Sequence, residues 1–281
     1  MAAPTGAARS LRLYGAAVAR VLARSGRRAV RDVDLATERP VFVLGSPRSG
    51  TSFVARSIGQ VPGFADLGEL GVWKAAIPVL FGAEEEAAAA ELRRMLERVR
   101  RYGLVRGLRA VEQSPETAFV LPAALRAYPQ AAVVHMIRDP RDVAASLVQK
   151  GWLREGRPGR DDVGEPYGEH PRFWVEPERR EEFDDASEAR RAGWAWRRYV
   201  IAARAAPSST VEVGYEALAT DPETASEPLA VHLGVDPVLL TEPLRGMHAE
   251  SVGRWRRNLT REQVDEVEAE AGELMQELGY S

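Results

Sequence analysis

Short apolar runs alternate with longer amphipathic stretches along the chain, and this alternation restricts the possible folds more than any other property of the sequence. Apolar runs bounded by Gly, Pro or polar residues are typical of buried strands, and helical stretches between them are typical of crossover connections. The runs lie at residues 41–44, 110–112, 132–137 and 210–213. This alternation predicts an α/β fold of three layers, α/β/α, in which helices cover both faces of a central parallel sheet.

The stretches between and after these runs predict the helices and one long insertion. The helical segments are 51–59, 84–102, 117–127, 142–150, one through Trp194, Trp196 and Tyr199, and 261–278. Residues 151–187 break the pattern, because they are rich in Gly, Pro and acidic side chains. Insertions of this length are commonly binding loops or disordered segments, and the aromatic residues in this one favour a lid.

The charge of the chain is unevenly distributed, although its sum is small. The 281 residues include 38 basic and 41 acidic side chains, for a net charge of −3, and no cysteine. The lack of cysteine excludes disulfides, thiolate metal sites and cysteine nucleophiles. The balanced sum gives no indication of a nucleic-acid partner, and no apolar run reaches the roughly 18 residues that a membrane span needs.

The N-terminal segment is strongly basic, with seven arginines and no acidic residue in the first 31 positions. This composition is shared by transit peptides and by basic amphipathic helices. The spacing of the apolar residues favours a helix that lies on the surface or contacts a second copy in a homodimer. We predict a basic helical arm over residues 1–39 and a single domain over residues 40–281, with the lid-like insertion at 151–187.

A glycine-containing turn follows the first apolar run and precedes a predicted helix. It reads Gly-Ser-Pro-Arg-Ser-Gly-Thr-Ser over residues 45–52. Glycines at this spacing allow backbone N–H groups to face an anion, and the N-terminus of the helix strengthens the binding. A nucleoside triphosphatase would have Lys after the second glycine, whereas here Thr51 follows it and the cation is Arg48. The turn favours an anion bound by arginine without a metal ion; an ordinary Gly-rich turn is the alternative.

A second candidate anion site follows the run at 132–137. Arg138 stands at the end of that predicted strand, and Ser146 lies two turns into the next predicted helix. Both can contact one anion at the carboxyl edge of the sheet, where α/β folds bind ligands. The structural alternative is an ion pair of Arg138 with Asp139 or Asp142. Two anion sites on neighbouring strands would suit a nucleotide with phosphates at both its 3′ and 5′ ends.

These motifs resemble those of the sulfotransferase family that uses 3′-phosphoadenosine 5′-phosphosulfate (PAPS). Residues 47–53 resemble its 5′-phosphosulfate loop, and the segment from Arg138 to Ser146 resembles its 3′-phosphate motif. Further similar segments occur in the same order at Gly68-Glu69 and at residues 111–115, 213–218 and 251–257. The resemblance runs from about residue 40 to the C-terminus and implies a P-loop-like α/β fold.

The resemblance implies that most of these residues bind PAPS. Arg48 would contact the leaving phosphate oxygen as the transition-state cation. Hydrogen bonds to the same group would come from Ser49, Gly50, Thr51 and Ser52. Phe53 and Tyr215 match aromatic residues beside the adenine. The groups that match the family's 3′-phosphate site are Arg138, Ser146, Arg254, Trp255 and Arg256.

The resemblance also implies the general base. Glu69 matches a glutamate that follows glycine in the branch of the family acting on sugars or protein tyrosine. A solvated loop carboxylate is the alternative interpretation of Glu69. Among the histidines, His135 is interpreted as a core residue, and His170 lies in the predicted lid without support from its neighbours.

Gln113 is the main departure from the family pattern. Relatives commonly have Lys before Ser-Pro or Thr-Pro, as a second cation at the sulfuryl group, so the role of Gln113 is open. Arg109 or Arg56 could compensate for the missing charge. The departure supports the alternatives of a non-catalytic nucleotide-binding module or a metal-dependent phosphotransferase.

The leading expectation is a PAPS-dependent O-sulfotransferase. It would move the sulfuryl group from PAPS to a hydroxyl of a small-molecule or carbohydrate acceptor, without a metal ion. The missing cysteines are consistent with a reducing cytoplasm. The identity of the acceptor does not follow from the residues.

Overall fold

The residues that the structure describes form a central sheet of five parallel strands. The structure is a computed structural model and describes residues 6–24, 39–99, 108–153, 175 and 177–280. The strands are β1 (Val41–Gly45), β2 (Phe64–Gly68), β3 (Arg109–Glu112), β4 (Ala132–Ile137) and β5 (Thr210–Gly214). They lie in the order β2-β3-β1-β4-β5, with every neighbouring pair parallel.

Helices precede, connect and follow these strands. They are α1 (Gly6–Arg24), α2 (Thr51–Gln60), α3 (Gly71–Leu80), α4 (Glu85–Val99), α5 (Leu121–Ala127), α6 (Pro140–Lys150), α7 (Arg180–Asp185), α8 (Glu188–Ala203), α9 (Tyr215–Thr220), α10 (Pro222–Leu233), α11 (Pro237–Leu244), α12 (Trp255–Asn258) and α13 (Arg261–Glu277). Short 3₁₀ helices occur at Pro115–Val120, Pro177–Arg179, Pro207–Ser209 and Ala249–Ser251.

Strand β1 alternates between two hydrophobic clusters, because successive side chains of a strand point to opposite faces. Phe42 and Leu44 belong to the cluster built with α1, α3, α4 and α5. Val41 and Val43 belong to the cluster built with α2, α10 and α11. A further cluster joins α6, α8 and α13. The predicted three-layer α/β fold with a central parallel sheet is therefore confirmed.

The four predicted strands are present, whereas β2 was not predicted. Its sequence, Phe-Ala-Asp-Leu-Gly, is short and interrupted by Asp66. The Asp66 carboxylate accepts a hydrogen bond from the Gly68 N–H at 2.8 Å and pairs with Arg20 of α1. This strand therefore depends on contacts with a distant segment that local apolar patterning does not reveal.

Two predicted helices differ from those observed. The segment predicted as one helix over 117–127 consists of the 3₁₀ helix Pro115–Val120 followed by α5. Pro122 lies in the first turn of α5, where its missing N–H is tolerated, so a new helix begins there. The helix predicted over 84–102 ends at Val99, and residues 100–102 lie outside the described residues.

The basic N-terminal segment contains helix α1. Tyr14, Ala17 and Val21 are buried in the cluster that α1 shares with β1 and α3. Most of the predicted lid, including His170, lies outside the described residues, while Trp152 and α7 lie within them. Among the helices of the described ranges, none has the length and apolar character needed to cross a bilayer.

Candidate active site

A cleft opens at the carboxyl ends of β1 and β4. Among the described residues that line it are four arginines: Arg48, Arg56, Arg138 and Arg254. The loops that leave neighbouring parallel strands meet at one edge of the sheet, so motifs far apart in sequence come together there. Guanidinium groups in this number suit an anionic ligand with several oxygen atoms.

The loop between β1 and α2 has an unusual backbone. Arg48 has a φ of 78°, in the left-handed region that non-glycine residues rarely adopt, and Gly50 has a φ of 89°. The Ser49 N–H donates to the carbonyl oxygen of Ser46 at 3.0 Å and closes the turn. Helix α2 begins at Thr51. The N–H groups of Phe53 and Val54 donate to the carbonyl oxygen of Gly50, which leaves those of Thr51 and Ser52 at the start of the helix. The loop therefore has the form of an anion-binding turn at a helix N-terminus.

Arg48 connects the two predicted motifs. Its Nε donates a hydrogen bond to Oγ of Ser146 on α6 at 3.0 Å. Its guanidinium carbon lies 5.4 Å from the centre of the Trp152 ring. The side chain therefore reaches from the β1–α2 loop across to α6, and the two motifs share one cleft.

Arg138 is buried at the end of β4. It donates hydrogen bonds to the carbonyl oxygens of Arg48, at 2.9 Å, and Ser251, at 2.7 Å. Its guanidinium carbon lies 4.1 Å from the centre of the Tyr215 ring, a cation–π contact. Among the described residues its Nε is buried without a hydrogen-bond partner. The Arg138 side chain thus joins three segments of the cleft wall.

The carboxylates beside Arg138 have other partners. Asp139 pairs with Arg141 at 2.9 Å. Asp142 accepts hydrogen bonds from the backbone N–H groups of Gly253, at 2.7 Å, and Trp255, at 2.9 Å. The contacts described therefore do not include the alternative ion pair of Arg138 with Asp139 or Asp142. Asp142 instead attaches the C-terminal basic segment to α6.

The structure separates the members of that basic segment. Arg254 lines the cleft, together with Asn258 from the same segment. The guanidinium carbons of Arg141 and Arg256 lie 4.3 Å and 4.5 Å from the centre of the Trp255 ring. Neither Trp255 nor Arg256 is among the residues that line the cleft. Of the three predicted residues, the structure therefore places only Arg254 in the wall of this cleft.

Aromatic side chains form another part of the cleft. Phe53 and Tyr215 both line it, together with Met247 and His248, which were not among the predicted residues. The Tyr215 hydroxyl donates to the carbonyl oxygen of His248 at 3.1 Å, and the rings of Phe53 and His248 are 6.5 Å apart. A β-carbon at Gly50 would lie 2.9 Å from Cδ2 of Tyr215, so this close approach requires glycine.

Of the other predicted loop residues, Thr51 and Ser52 line the cleft and Ser49 does not. The Ser49 hydroxyl is buried, and its oxygen has no hydrogen-bond partner among the described residues. Arg56 also lines the cleft and donates from Nε to the carbonyl oxygen of Ser52 at 3.0 Å. Arg56 was considered only as a replacement for a missing cation, yet its position one helical turn after Ser52 could have indicated this placement.

Glu69 follows β2 at the same edge of the sheet, outside the set of residues that line the cleft. Its Oε2 accepts a hydrogen bond from Nζ of Lys74 at 2.6 Å. Gln113 links this region to the loop helix, because its N–H donates to Gly68 O at 3.4 Å and its Oε1 accepts from Ser52 Oγ at 2.9 Å. Gln113 therefore has a defined position between the predicted base and the anion-binding turn.

Two buried glutamates lie at this same edge. Glu112 accepts hydrogen bonds from the N–H of Leu70, at 3.3 Å, and from Ser114 and Thr117. Burial raises the pKa of Glu112 to about 7, although these hydrogen bonds act in the opposite direction. Burial likewise raises the pKa of Glu116. Both groups are therefore protonated more readily than a glutamate in water.

The remaining candidates lie elsewhere. Arg109 begins β3, at the end of the strand opposite the cleft, and donates to the carbonyl oxygens of Arg39 and Leu233. It is therefore in the wrong place to compensate for the charge missing at Gln113. His135 is fully buried in β4, with Nδ1 3.1 Å from Oε1 of Glu212, as expected for a core residue.

The comparisons with known proteins agree with this geometry. Residues 40–238 match the family model described as the sulfotransferase family. No curated protein matches the chain by sequence. Among solved structures, the chain is similar to sulfotransferase STF9 from Mycobacterium avium, with 16% identity, a TM-score of 0.54, and coverage of 99% of this chain and 87% of that one.

Two sulfotransferase domains of biosynthetic systems are also similar in fold. The domain from the Synechococcus olefin synthase has 17% identity and a TM-score of 0.50, with coverage of 87% of this chain and 99% of that one. The domain from the curacin biosynthetic pathway has 15% identity and a TM-score of 0.52, with coverage of 87% and 98%. At this identity the likeness establishes the fold. Because the family match spans well over half of the chain, the protein belongs to the sulfotransferase family.

Proposed function

We propose that the protein transfers a sulfuryl group from PAPS to a hydroxyl group of a small-molecule or carbohydrate acceptor. The observation that carries the proposal is the meeting of two anion-binding motifs in one cleft, joined by the hydrogen bond from Arg48 to Ser146. A nucleotide with phosphates at its 3′ and 5′ ends needs two cationic sites at a fixed separation. A single phosphate or a linear triphosphate would leave one motif without a role.

The polar groups of the cleft suit such a nucleotide. Arg138 lines the cleft, and its Nε is buried without a hydrogen bond to the described residues. A buried polar atom without a partner is costly, so its presence in a residue of the cleft wall supports a bound polar ligand. Arg138, Ser146 and Arg254 would hold the 3′-phosphate, with Tyr215 and Phe53 at the adenosine.

In the reaction, PAPS supplies the sulfuryl group: the bond from sulfur to the bridging phosphate oxygen breaks as a bond to the acceptor oxygen forms. Arg48 would stabilise the negative charge that develops on the leaving oxygen. The N–H groups of Thr51 and Ser52, at the first turn of α2, would add hydrogen bonds to the same group. Arginine stays protonated, so Arg48 would act through charge and not by donating a proton.

Glu69 is our candidate for the general base that removes the proton of the acceptor hydroxyl. Its side chain is 27% exposed, and only Oε2 is bonded to Lys74 in the contacts described, so Oε1 can accept a proton. Gln113 would hold Ser52 and the Gly68 carbonyl in place instead of supplying a second positive charge. We extend the proposal to a cytoplasmic reaction, since a chain without cysteine does not need an oxidising compartment to fold.

Donor binding is the first test, and it does not require the acceptor. Isothermal titration calorimetry with PAPS and with its product 3′-phosphoadenosine 5′-phosphate (PAP) should detect binding to the unaltered protein, and Arg48→Ala and Arg138→Ala should weaken it strongly. Arg126→Ala is the matched control, because Arg126 is exposed on α5 and pairs with Glu86 away from the cleft. A protein that binds neither nucleotide would rule out the proposal.

The second test follows label from radiolabelled PAPS into a panel of phenols, alcohols and sugars. Transfer should depend on Glu69, so Glu69→Gln should bind PAP normally and transfer label at a much lower, still measurable rate. Binding of PAP without transfer to any acceptor would favour a non-catalytic nucleotide-binding module. A preference for ATP with Mg²⁺ over PAPS would favour a metal-dependent phosphotransferase.

A further inference from the structure

Lys74 is an unusual residue in this chain. The sequence has 38 basic residues of which only Lys74 and Lys150 are lysines, so arginine supplies nearly all of the positive charge. Lys74 lies in α3 with its side chain 7% exposed, whereas Lys150 is exposed at the end of α6. A buried ammonium group is costly unless it is paired, so its surroundings must compensate for the lost hydration.

Glu69 provides one part of that compensation. Lys74 Nζ donates to Glu69 Oε2 at 2.6 Å, and the two residues are five positions apart across the start of α3. The backbone between them is also fixed. The Leu70 N–H donates to Glu112 Oε1 and Ser114 Oγ, and the Lys74 N–H donates to Leu70 O at 3.2 Å. The ion pair is therefore built on a rigid segment.

Glu116 lies near the same ammonium group. Burial raises the pKa of Glu116, while the charge of Lys74 lowers it and the charge of Glu69 raises it, so all three groups interact. Tyr199 of α8 donates from its hydroxyl to Glu116 Oε1 at 3.1 Å, and Glu116 Oε2 makes no hydrogen bond among the described residues. Lys74 thus interacts with two carboxyl groups, one buried and one partly open to solvent.

Lysine and arginine are not equivalent at this position. The ammonium group is a compact donor, whereas the guanidinium group is a larger planar fork, and the Lys74 side chain beside Glu69 is only 7% exposed. The arrangement also bears on the glutamine at position 113. The side chain of Gln113 is uncharged and accepts a hydrogen bond from Ser52. At this edge of the sheet an ammonium group is instead supplied by Lys74 of α3.

We propose that Lys74 is a positioning residue for Glu69, holding one carboxylate oxygen so that the other faces the acceptor hydroxyl. The inference rests on the proposed function, because it assigns a task to Glu69 in sulfuryl transfer. In the step, the proton of the acceptor hydroxyl passes to Glu69 while Lys74 keeps its own three protons. Before the transfer the ammonium group is paired with Glu69, and its charge also acts on the buried Glu116.

The ion pair can be tested without an acceptor, because the chain has only two lysines. In protein labelled with ¹⁵N-lysine, NMR should show one ammonium signal protected from exchange, absent in Lys74→Met and present in Lys150→Met. Glu69→Gln should shift that signal or expose it to exchange with water. An unchanged signal in Glu69→Gln would overturn the proposal, whatever donor the protein uses.

The catalytic consequence is tested by turnover of PAPS, with the acceptor found by the screen or with water as acceptor. Lys74→Met should lower kcat by about 10- to 100-fold, because misplacement of a reacting group by an ångström has an effect of this size. The KM for PAPS and the calorimetric Kd for PAP should stay unchanged. Lys150→Met, the matched control, should behave as the unaltered protein.

A double-mutant cycle separates positioning from general damage to the fold. If Lys74 acts through Glu69, adding Lys74→Met to Glu69→Gln should cause no further loss of kcat. Lys74→Arg keeps the charge and provides a second variant should Lys74→Met fail to fold; it should retain more activity than Lys74→Met. Additive losses in the cycle, or full activity of Lys74→Met, would overturn the proposal. If the unaltered protein does not bind PAP, that result would instead count against the proposed function.

Discussion

Arg48 Nε lies 3.0 Å from Ser146 Oγ, although the two residues are 98 positions apart in the sequence. The hydroxyl of Ser146 can accept this hydrogen bond and still donate its own proton to an anion. The cation of the first motif is therefore oriented by a residue of the second. This contact makes the two proposed phosphate sites interdependent.

Ser146→Ala tests this interdependence. Removing the hydroxyl takes away an acceptor from Arg48 and a donor from the proposed 3′-phosphate site. Hydrogen bonds to charged groups contribute about 1.5 to 3 kcal/mol, so the affinity for PAP should fall roughly tenfold or more. Calorimetry measures the change. Ser208→Ala, at an exposed position in the turn before β5, should leave the affinity unchanged.

Arg138→Lys tests the fork geometry of the buried guanidinium. Lysine keeps the charge but cannot reach both carbonyl oxygens or stack on Tyr215 as a plane. We expect a lower melting temperature and an affinity for PAP reduced by about 10- to 100-fold. Arg126→Lys, on the exposed face of α5, should change neither quantity. Wild-type affinity in Arg138→Lys would show that charge alone suffices.

Gly50→Ala tests the close approach of the loop to Tyr215. Gly50 and Gly63 both have a φ of 89°, but a β-carbon would lie 2.9 Å from Tyr215 at position 50 and would have no neighbour within 4 Å at position 63. Both variants should lose about 1 to 2 kcal/mol from the left-handed backbone. Gly50→Ala should lose more stability, and only it should weaken PAP binding. Chemical denaturation and calorimetry together distinguish the two effects, and equal losses in both variants would contradict the proposed contact.

Val21→Asn and Leu22→Asn test the packing of α1. Val21 is fully buried, whereas the neighbouring Leu22 is 56% exposed. A polar side chain at position 21 should cost about 2 to 4 kcal/mol of unfolding free energy, since it would be buried without a partner. The change at position 22 should be within about 0.5 kcal/mol. Similar small effects at both positions would mean that α1 contributes little to the stability of the domain.

Glu112→Gln tests the raised pKa of a buried carboxyl group. The pKa of Glu112 is about 7 in the folded protein against an ordinary 4.5. When the pKa is higher in the folded state, the folded protein binds the proton more tightly than the unfolded chain does. The resulting stabilisation is complete at pH values below the unfolded pKa, and it is lost as the pH rises through the folded pKa. The unaltered protein should therefore lose on the order of 3 kcal/mol of unfolding free energy, relative to Glu112→Gln, between about pH 4.5 and pH 7.

Urea unfolding at several pH values measures this difference. Glu227→Gln, an exposed substitution on α10, should show no such divergence from the unaltered protein. A constant difference between Glu112→Gln and the unaltered protein across the whole range would show that Glu112 has the same pKa in the folded and unfolded states.

Local patterns were sufficient to predict most of the sheet. The strands β1, β3, β4 and β5 are apolar runs with clear boundaries. Such a run and the Gly, Pro or polar residues that end it occupy a few adjacent positions, so a short window of sequence is enough to identify it. Strand β2 was not predicted, because Asp66 interrupts its apolar pattern and is satisfied by Arg20 from α1. A contact between segments that distant cannot be read from a local window.

The same division applies to the cleft. Arg48 and Arg138 were predicted, because each follows a buried strand at the edge where α/β folds bind ligands. Trp255 and Arg256 were predicted beside them, but Asp142 accepts a hydrogen bond from the Trp255 N–H, and the Trp255 ring packs against Arg141 and Arg256. The position of Arg56 in the cleft wall and the hydrogen bonds of Gln113 with Ser52 and Gly68 were not predicted from the sequence.

Residue types at short, fixed spacings are enough to predict the α/β class, the two candidate anion-binding turns and the family resemblance. The packing of the fold is needed to see that Ser146 holds Arg48, that Gln113 bonds Ser52 and that Lys74 pairs with Glu69. Each of these contacts joins side chains of different segments of the fold. Their geometry is set by how the segments pack around the sheet, since hydrogen bonds and buried ion pairs require partners within about 3 Å.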